Sequence, residues 1–333
     1  MFDNISVRVR WKSCRTLLHL LRSRQNKNIS YRKHKICVRS RFGTVAHITV
    51  EAGSGTVVVD GSAPKFLTGQ NVLGVEQLTA LCVQFVVSVL SRAGAELTDE
   101  ELRWIREGHV TLLRVDFAAH VDCGSERLAI EFMQALQNRW ASVPRDFYEY
   151  RSESICFTPH SERWSLKAYL KGAEIRAHPL SRLVFNRGQI IDYAIRLVRF
   201  EIVFRSKELK RLGLDSPGAW NSSRARALLI TAVTDVVPVE VNIPNPAVMS
   251  KLSKPLQLRL EVWLRGGQPF NKDSSSYRQD VRQIRDVTGI DVRCHLRAAG
   301  QSKCFITMKQ IFKRGFGFKC CEDKWSRLLD AAP

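Results

Sequence analysis

The chain has 333 residues, of which 44% are hydrophobic, so it is long enough to bury a sizeable core in two domains or in one domain with an appendage. Its 52 lysines and arginines against 32 acids give a formal net charge of +20, which indicates an anionic partner. Nucleic acid is the commonest partner of this kind, and a membrane surface is the alternative. The most apolar window, Leu78–Leu90, is too short to span a bilayer, no signal peptide is evident, and the nine cysteines form no Cys-x-x-Cys pair, so we expect a cytoplasmic protein rather than a membrane-spanning or disulfide-rich one.

The basic charge is concentrated at the two ends of the chain. Residues 1–41 hold twelve Lys or Arg and one acid, Asp3, whereas residues 251–333 hold seventeen Lys or Arg and eight acids. Alternating residues predict a strand over Ile5–Trp11, and the leucines of residues 12–28 predict a basic amphipathic helix. We interpret this N-terminal part as a segment that binds phosphates.

A hairpin, a loop and a helix follow. His47–Val50 and Thr56–Val59 flank a glycine-containing turn and are predicted to pair as a β-hairpin. Residues Ser62–Asn71 are predicted to form a loop, and Val75–Ser91 a buried helix.

The strand predicted over Val110–Asp122 has one apolar and one polar face, because successive side chains of a strand point to opposite sides. The apolar face comprises Leu113, Val115, Phe117, Ala119 and Val121, and the polar face comprises Arg114, Asp116, His120 and Asp122. Such a strand is typical of a sheet that buries only one side.

The later elements mix strands and helices. We predict helices over Ser125–Trp140, Asn186–Ile195 and Tyr277–Thr288, and strands over Ser154–Phe157, Trp164–Lys171 and Val198–Arg205. This order lacks strict β-α-β alternation and therefore predicts an α+β fold with a central antiparallel sheet. The prolines of Val237–Pro255 indicate a domain boundary.

Acidic residues on the polar strand faces could hold a divalent ion. Asp116, Glu201 and Glu174, with His120 as a further ligand, offer the oxygen and nitrogen donors that would bind Mg²⁺ or Mn²⁺ and polarise a phosphodiester. Alternatively, the acids form ion pairs with arginines of the same strands. The chain has no P-loop and no His-x-His pair, the pair with which many strand-nicking enzymes hold their metal.

Six tyrosines make a short list of candidate nucleophiles. Strand alternation places Lys167, Tyr169 and Lys171 on one face, where two ammonium groups would favour the tyrosine phenolate beside a phosphate. A half-buried structural tyrosine is the alternative interpretation. Tyr193, ahead of the Glu201 strand, is the second candidate, and Tyr148 and Tyr150 are expected in a loop-like stretch.

Four stretches resemble the gene II and gene X type replication initiation proteins of filamentous phages, with relatives among phage and plasmid initiators. They are Gly61–Gly74, Leu113–Phe117, Arg163–Glu174 and Val198–Leu214, and Val262–Gly266, Ser276–Arg278 and Thr288–Val292 add a fainter match to the gene X portion. One departure is Gln70, which stands where the family pattern has a histidine in Gly-His-Asn.

This resemblance implies a rolling-circle initiator: a metal-dependent, site-specific endonuclease and ligase that forms a phosphotyrosine and exposes a 3′ end. It implies a relaxase-like sheet with helices on its faces, Tyr169 and Lys171 as catalytic residues, and Asp116, Glu174 and Glu201 as ligands of Mg²⁺ or Mn²⁺. His120 is a further candidate ligand because it shares the strand face of Asp116, not because of the resemblance. The expected partners are single- and double-stranded origin DNA, and the host helicase and polymerase.

The resulting domain prediction is a basic strand and arm (1–41), a nicking and joining domain (42–240) and a basic DNA-binding domain (241–333). Predicted DNA contacts are Lys65, Gln70, Asn71, Arg114, Arg163, Lys167, Arg199, Arg278 and Arg282. Two alternatives are a non-catalytic origin- or operator-binding regulator of the same fold and a basic packaging protein. The latter would not need carboxylates on strand faces.

Overall fold

The computed structural model describes residues 1–10, 34–51, 54–95, 97–140, 147–150, 153–236, 243–244, 246–264, 268–288, 290, 292–293 and 305–306. Its strands are β1 (Phe2–Arg10), β2 (His34–Arg39), β3 (Val45–Glu51), β4 (Thr56–Ser62), β5 (Val110–Asp122), β6 (Phe147–Tyr150), β7 (Ser154–Phe157), β8 (Trp164–Leu170), β9 (Leu197–Arg205), β10 (Ile243–Pro244) and β11 (Phe305–Ile306). Its helices are α1 (Ala63–Thr68), α2 (Leu78–Arg92), α3 (Asp99–Arg106), α4 (Glu126–Trp140), α5 (Lys171–Ala177), α6 (Arg187–Ala194), α7 (Ser206–Leu212), α8 (Ser222–Val236), α9 (Pro246–Met249), α10 (Lys254–Leu264) and α11 (Tyr277–Thr288), with a 3₁₀ turn at Pro217–Ala219.

Strands β1–β9 form one sheet in the order β2-β3-β4-β1-β5-β9-β8-β7-β6, and every neighbouring pair is antiparallel. The predicted α+β class with an antiparallel sheet is therefore confirmed. The hairpin β3–β4, the strand β5 and the helix α11 were all predicted from the sequence. The predicted helix at residues 12–28 lies outside the described residues.

One face of the sheet carries the main hydrophobic core. Val115, Phe117 and Ala119 of β5 lie on this face beside Phe200 and Ile202 of β9, as alternation predicts. Helices α2, α4 and α8 pack against it, for example through the edge-to-face contact of Phe132 with Phe200, whose ring centroids are 6.4 Å apart. Burying this face leaves the opposite face for polar side chains.

Two register shifts between β1 and β5 change which residues face the core. Between Phe2 and Ile5 the shift leaves both side chains in the core although they are three residues apart, and it brings Asp3 to the polar side. Between Ser6 and Val7 the second shift buries Leu112 and leaves Leu113, which alternation assigned to the core, only half-buried. Such irregularities depend on the partner strand and leave no local sequence pattern.

Strands β1 and β2 are integral to the sheet: β1 lies between β4 and β5, and β2 pairs with β3. A boundary after residue 41 would separate both strands from the layer they belong to. Residues 1–10 and 34–39 are therefore parts of the folded sheet. The residues of the basic N-terminal segment that the structure describes do not form a free arm.

Three local predictions need correction. The predicted loop Ser62–Asn71 contains helix α1, which begins with Pro64 in its first turn and ends at Gly69 in the left-handed region, at φ +79°. The stretch that contains Tyr148 and Tyr150 forms strand β6 rather than a loop. Strand β8 ends at Leu170, so Lys171 is the first residue of α5 and does not share the strand face of Tyr169.

Helices α10 and α11 form a second, smaller hydrophobic cluster with Met249, Leu252, Ile290 and Val292. Val281 and Ile284 are buried in it, and Tyr277 packs against it, as the spacing in α11 predicts. Helix α10 continues through Pro255, which occupies its first turn and therefore costs the helix no hydrogen bond. No helix within the described ranges is both long and apolar enough to cross a bilayer.

Candidate active site

The polar face of the sheet presents its side chains in four cross-strand rows over β5, β9 and β8. The first row contains His120, Arg199 and Tyr169, and the second contains Ala118, Glu201 and Lys167. The third contains Asp116, Val203 and Ser165, and the fourth contains Arg114 and Arg205. Since alternate residues of a strand are about 7 Å apart, the four rows extend over roughly 20 Å.

Arg199 is the centre of the first row and is fully buried. Its guanidinium donates to Asp3, to Glu201 Oε2 (3.2 Å) and to the backbone oxygen of Asn71 (2.6 Å), and its Nη1 lies 3.4 Å from Nε2 of His120. A buried guanidinium is tolerated because these acceptors replace its water. Although burial opposes its charge, the carboxylates of Asp3 and Glu201 raise the pKa of Arg199, so it remains a permanent cation.

Asn71 connects this arginine to a second charged group. Its Nδ2 donates to Asp3 Oδ2 (2.7 Å), and its Oδ1 accepts from Nζ of Lys171 (2.6 Å). Lys171 also donates to Glu174 Oε2 (2.6 Å), and Lys65 donates to the other oxygen of Glu174 (2.5 Å). The loop after α1 is thereby tied to the start of α5.

The charges in this second group shift each other's proton affinities. Although burial opposes its ionisation, the nearby Lys171 and Lys65 lower the pKa of Glu174 to about 2. Burial, together with the charge of Arg199, lowers the pKa of Lys171 to about 8. Lys171 is therefore a buried partner of Glu174 and Asn71, and it does not lie on the surface beside a substrate.

Tyr169 is half-buried, and its hydroxyl donates to Glu201 Oε2 at 3.2 Å. Burial raises the pKa of Tyr169 well above its usual value, because the opposing charge of Arg199 does not outweigh burial and the carboxylate of Glu201 raises the pKa further. The expectation that flanking lysines favour its phenolate is therefore wrong. The hydroxyl keeps its proton at neutral pH, and the adjacent carboxylate is placed to accept it.

The four predicted metal ligands do not gather around one point. Asp116 and His120 are four residues apart on one strand, which separates them by about 13 Å. Each carboxylate already pairs with a cation: Asp116 with Arg114, Glu174 with two lysines, and Glu201 with Arg199. Among the residues described, no group of three or more His, Cys, Asp or Glu side chains could hold a metal ion.

Asp116 and His120 are nevertheless unusual. Both are buried, and Asp116 accepts two hydrogen bonds of 2.7 Å from Arg114. Burial raises the pKa of Asp116 to about 7 despite Arg114, and the charge of Glu201 adds to the effect. Burial also lowers the pKa of His120 well below its usual value, assisted by Arg199, so His120 is a neutral imidazole.

Several predicted DNA contacts are internal supports instead. Gln70 is buried, and its side-chain oxygen accepts from the backbone nitrogens of Val72 and Leu73, both at 2.8 Å. Its amide donates to the oxygen of Leu73 at 3.0 Å. Gln70 therefore closes the loop on itself, and Asn71 and Arg199 are likewise buried, so none of the three offers a surface to DNA in this structure.

Other predicted contacts are accessible. Lys167 is half-buried beside Glu201, and Arg163 is exposed in the turn before β8. Arg278 and Arg282 lie on α11 with their side chains accessible, and their contact with DNA stays a prediction. Lys65 and Arg114 are half-buried and already pair with acids.

Tyr193 belongs to a different environment from Tyr169. It lies in α6 and packs against a hydrophobic cluster that includes Val72, Ile175 and Leu197. The guanidinium of Arg196 lies 4.9 Å from the centroid of its ring. Burial and the charge of Asp122 raise the pKa of Tyr193. The second candidate nucleophile therefore belongs to an apolar cluster and not to the charged network around Arg199.

Asp3 is the site residue that sequence reasoning missed. It accepts from Arg199, from Asn71 and from Ser62 Oγ (2.5 Å). Although burial opposes its ionisation, Arg199 and the hydrogen bond from Ser62 lower the pKa of Asp3. The available signal was that Asp3 is the one acid among the first 41 residues.

Comparisons with known proteins identify a family. The family model that describes the N-terminal part of the phage replication-associated protein of gene II matches residues 1–223. The replication-associated gene II protein of Enterobacteria phage I2-2 is 27% identical over 177 residues, which are 50% of this chain and 49% of that protein, so the match spans about half of the relative's length. The structure of a rolling circle replication initiator protein from Geobacillus stearothermophilus aligns with 11% identity and a TM-score of 0.27, over 72% of this chain and 96% of that one.

Proposed function

The chain belongs to the family defined by the N-terminal part of the replication-associated gene II protein, and from this membership we propose that it starts rolling-circle DNA replication by cutting and rejoining one strand at an origin. The membership confirms the resemblance to phage replication initiation proteins. The proposed substrate is origin DNA in the cytoplasm of a bacterial host, and the host helicase and polymerase are the proposed later partners.

The observation that carries this proposal is the hydrogen bond from Tyr169 to Glu201 beside the buried Arg199. In the proposed step, Glu201 accepts the hydroxyl proton while the phenolic oxygen attacks the phosphorus. The bond from phosphorus to the 3′ oxygen breaks, and that oxygen takes up a proton from solvent water to become a free 3′-hydroxyl. The strand end stays attached as a phosphotyrosine, and the reverse attack by a 3′-hydroxyl rejoins the strand.

The surrounding charges support this step. Arg199 holds Glu201 in place from the side that is closed to solvent, and the contacts from Asp3 and Asn71 fix Arg199 in turn. Lys167 is the next residue of β8 on the face of Tyr169, about 7 Å along the strand. It is the accessible cation placed to meet the phosphate under attack.

The predicted dependence on Mg²⁺ or Mn²⁺ stays a proposal, and no step above runs through a metal. The carboxylates predicted as ligands are paired with cations, so metal binding would require those pairs to open. Chelation with EDTA in the cleavage assay tests this dependence directly.

The decisive experiment is cleavage of a supercoiled plasmid that carries the replicon encoding this chain, with mass spectrometry of any tyrosyl–DNA peptide. Wild-type protein and Tyr193→Phe should form a covalent adduct at Tyr169, and Tyr169→Phe should form none. An adduct that persists in Tyr169→Phe would reject the assignment of the nucleophile.

A non-catalytic origin-binding regulator is the second candidate, because every carboxylate of the cluster described above pairs with a cation, as a purely structural network also would. Specific binding of the replicon without any adduct, with or without a divalent ion, would favour this alternative.

A further inference from the structure

A cavity of about 520 Å³ lies at the end of the polar face that is far from Tyr169. It is bordered by the fourth row of the sheet, by the turn between β7 and β8, and by the first residues of α7. Among its lining residues are Arg114, Arg205, Lys207, His160 and Glu162. Its size is in the range of sites that take a ligand as large as a nucleotide.

The cavity has an excess of positive charge on the sheet side. Arg114 and Arg205 are directly opposite each other on β5 and β9, an arrangement that is destabilising unless an anion relieves it. Arg114 donates from Nε and Nη2 to Asp116, and the negative charge of Asp60 also stabilises the charged form of Arg114. Arg205 is half-buried and donates to Ser165 Oγ at 3.5 Å, and no carboxylate of the described residues forms an ion pair with it.

The remaining charges of the rim are already balanced. Lys207 forms an ion pair with Glu162, and both side chains are largely exposed. Such a pair contributes little and can rearrange around a ligand. The guanidinium of Arg205 is therefore the cation of this cavity that has no anionic partner among the described residues.

The turn that borders this open cavity is held in one shape. Thr158 has φ +46°, a conformation that a β-branched residue adopts only when its surroundings enforce it, and its hydroxyl donates to the backbone oxygen of Trp164 at 3.0 Å. Ser161 Oγ accepts from the backbone nitrogens of Arg163 and Trp164, at 3.2 and 3.3 Å. The part of the cavity that this turn lines is thus preformed, and the turn is joined to Arg205 by a hydrogen bond of 2.8 Å from the Arg205 nitrogen to the Arg163 oxygen.

We propose that this cavity binds a backbone phosphate of the DNA strand that Tyr169 cuts, with Arg205 as its main ligand. A guanidinium suits this role because it can give a phosphate two parallel hydrogen bonds. The proposal rests on the proposed function, since it names a second contact of the same substrate. The cavity borders the fourth row and Tyr169 lies in the first, so the two are about 20 Å apart.

This distance sets the register between the bound phosphate and the cut. A stacked strand advances about 3.4 Å per nucleotide, so the two phosphates are at most about six nucleotides apart, and fewer if the strand is extended. The contact would carry no base information, but it would decide which phosphodiester reaches Tyr169.

The first test measures binding of a fluorescently labelled mixed-sequence single-stranded oligonucleotide to the full chain at increasing salt. Arg205→Ala should lower the slope of log affinity against log salt by about 0.7, the value for one lost phosphate contact, and Arg205→Lys should retain the slope. The matched control is Arg127→Ala, on the helix side of the sheet with 71% of its side chain exposed, which should keep the wild-type slope. An unchanged slope in Arg205→Ala overturns the proposal.

The second test maps the position with oligonucleotides of the replicon's nicked strand in which one phosphate at a time is a neutral methylphosphonate. Besides the phosphate under attack, which Lys167 meets, wild-type protein should lose affinity at one further position within about six nucleotides of the cut. Arg205→Ala should show no loss specific to that further position. A wild-type profile in Arg205→Ala overturns the proposal even if cleavage at Tyr169 is found. If no cleavage is found but the salt slope falls in Arg205→Ala and not in Arg127→Ala, the results support the phosphate contact and reject the proposed nicking function.

Discussion

Glu174 offers the sharpest test of the charged network, because its carboxylate holds two lysines of which Lys171 is fully buried. Glu174→Gln keeps the shape of the side chain and removes the charge. The pKa of Glu174 is held at about 2 instead of its usual 4.5, and a tenfold change in proton affinity corresponds to about 1.4 kcal/mol. The charged form therefore stabilises the fold by about 3 kcal/mol at neutral pH.

We expect Glu174→Gln to lower the free energy of unfolding by about 3 kcal/mol at pH 7, measured by urea denaturation. The sign of the pH dependence follows from the lowered pKa. The contribution is complete above about pH 4.5 and is lost as the pH falls through about 2, because below that pH Glu174 is protonated in both folded and unfolded chains. The difference between wild type and variant should shrink over the same interval.

Glu131→Gln is the matched control, since the side chain of Glu131 is also 20% exposed but its partner Arg127 is on the surface at 3.7 Å. It should cost less than about 1 kcal/mol. The double variant Lys171→Met/Glu174→Gln should recover part of the loss, because it leaves no unpaired buried ammonium group. A Glu174→Gln variant as stable as wild type at pH 7, or a loss that does not depend on pH, would refute this account of the charge.

Three further outcomes are expected. Gly69→Ala should lower stability by about 1–3 kcal/mol in thermal or urea unfolding, because φ is +79° and the added methyl would lie 2.7 Å from two side chains. Gly43→Ala is the control: its φ is +82°, but the added methyl meets no atom within 4 Å, so it should cost less. Equal losses in the two variants would contradict this. Arg199→Met should cost about 3–5 kcal/mol by leaving buried carboxylates unpaired, and a neutral effect in the same assay would show that the network is dispensable. In wild type, the raised pKa of Asp116 should lower the unfolding free energy as the pH rises from about 4 to 7, because ionisation of Asp116 then opposes folding. Asp116→Asn should remove this contribution, and a pH profile unchanged from wild type would exclude it.

The sequence alone determined the elements whose pattern is local. Alternation over Val110–Asp122 and Val198–Arg205 predicted two strands and the polar faces that carry Asp116, Glu201 and Arg199, because successive side chains of a regular strand point to opposite sides. It failed only at Leu113, beside the register shift against β1. The spacing of Tyr277, Val281 and Ile284 predicted helix α11 for the same reason. The family resemblance also came from contiguous stretches.

The tertiary structure decided which charges meet. Lys65 and Glu174 are 109 residues apart, and Asp3 and Arg199 are 196 apart, so their pairing depends on strand order and on a register shift in β1. Burial, which no local pattern reports, converted Arg199 from a predicted DNA contact into an internal cation and raised the pKa of Tyr169. The sequence therefore identified the charged side chains of the polar face, whereas their partners and their pKa values depended on how the sheet folds.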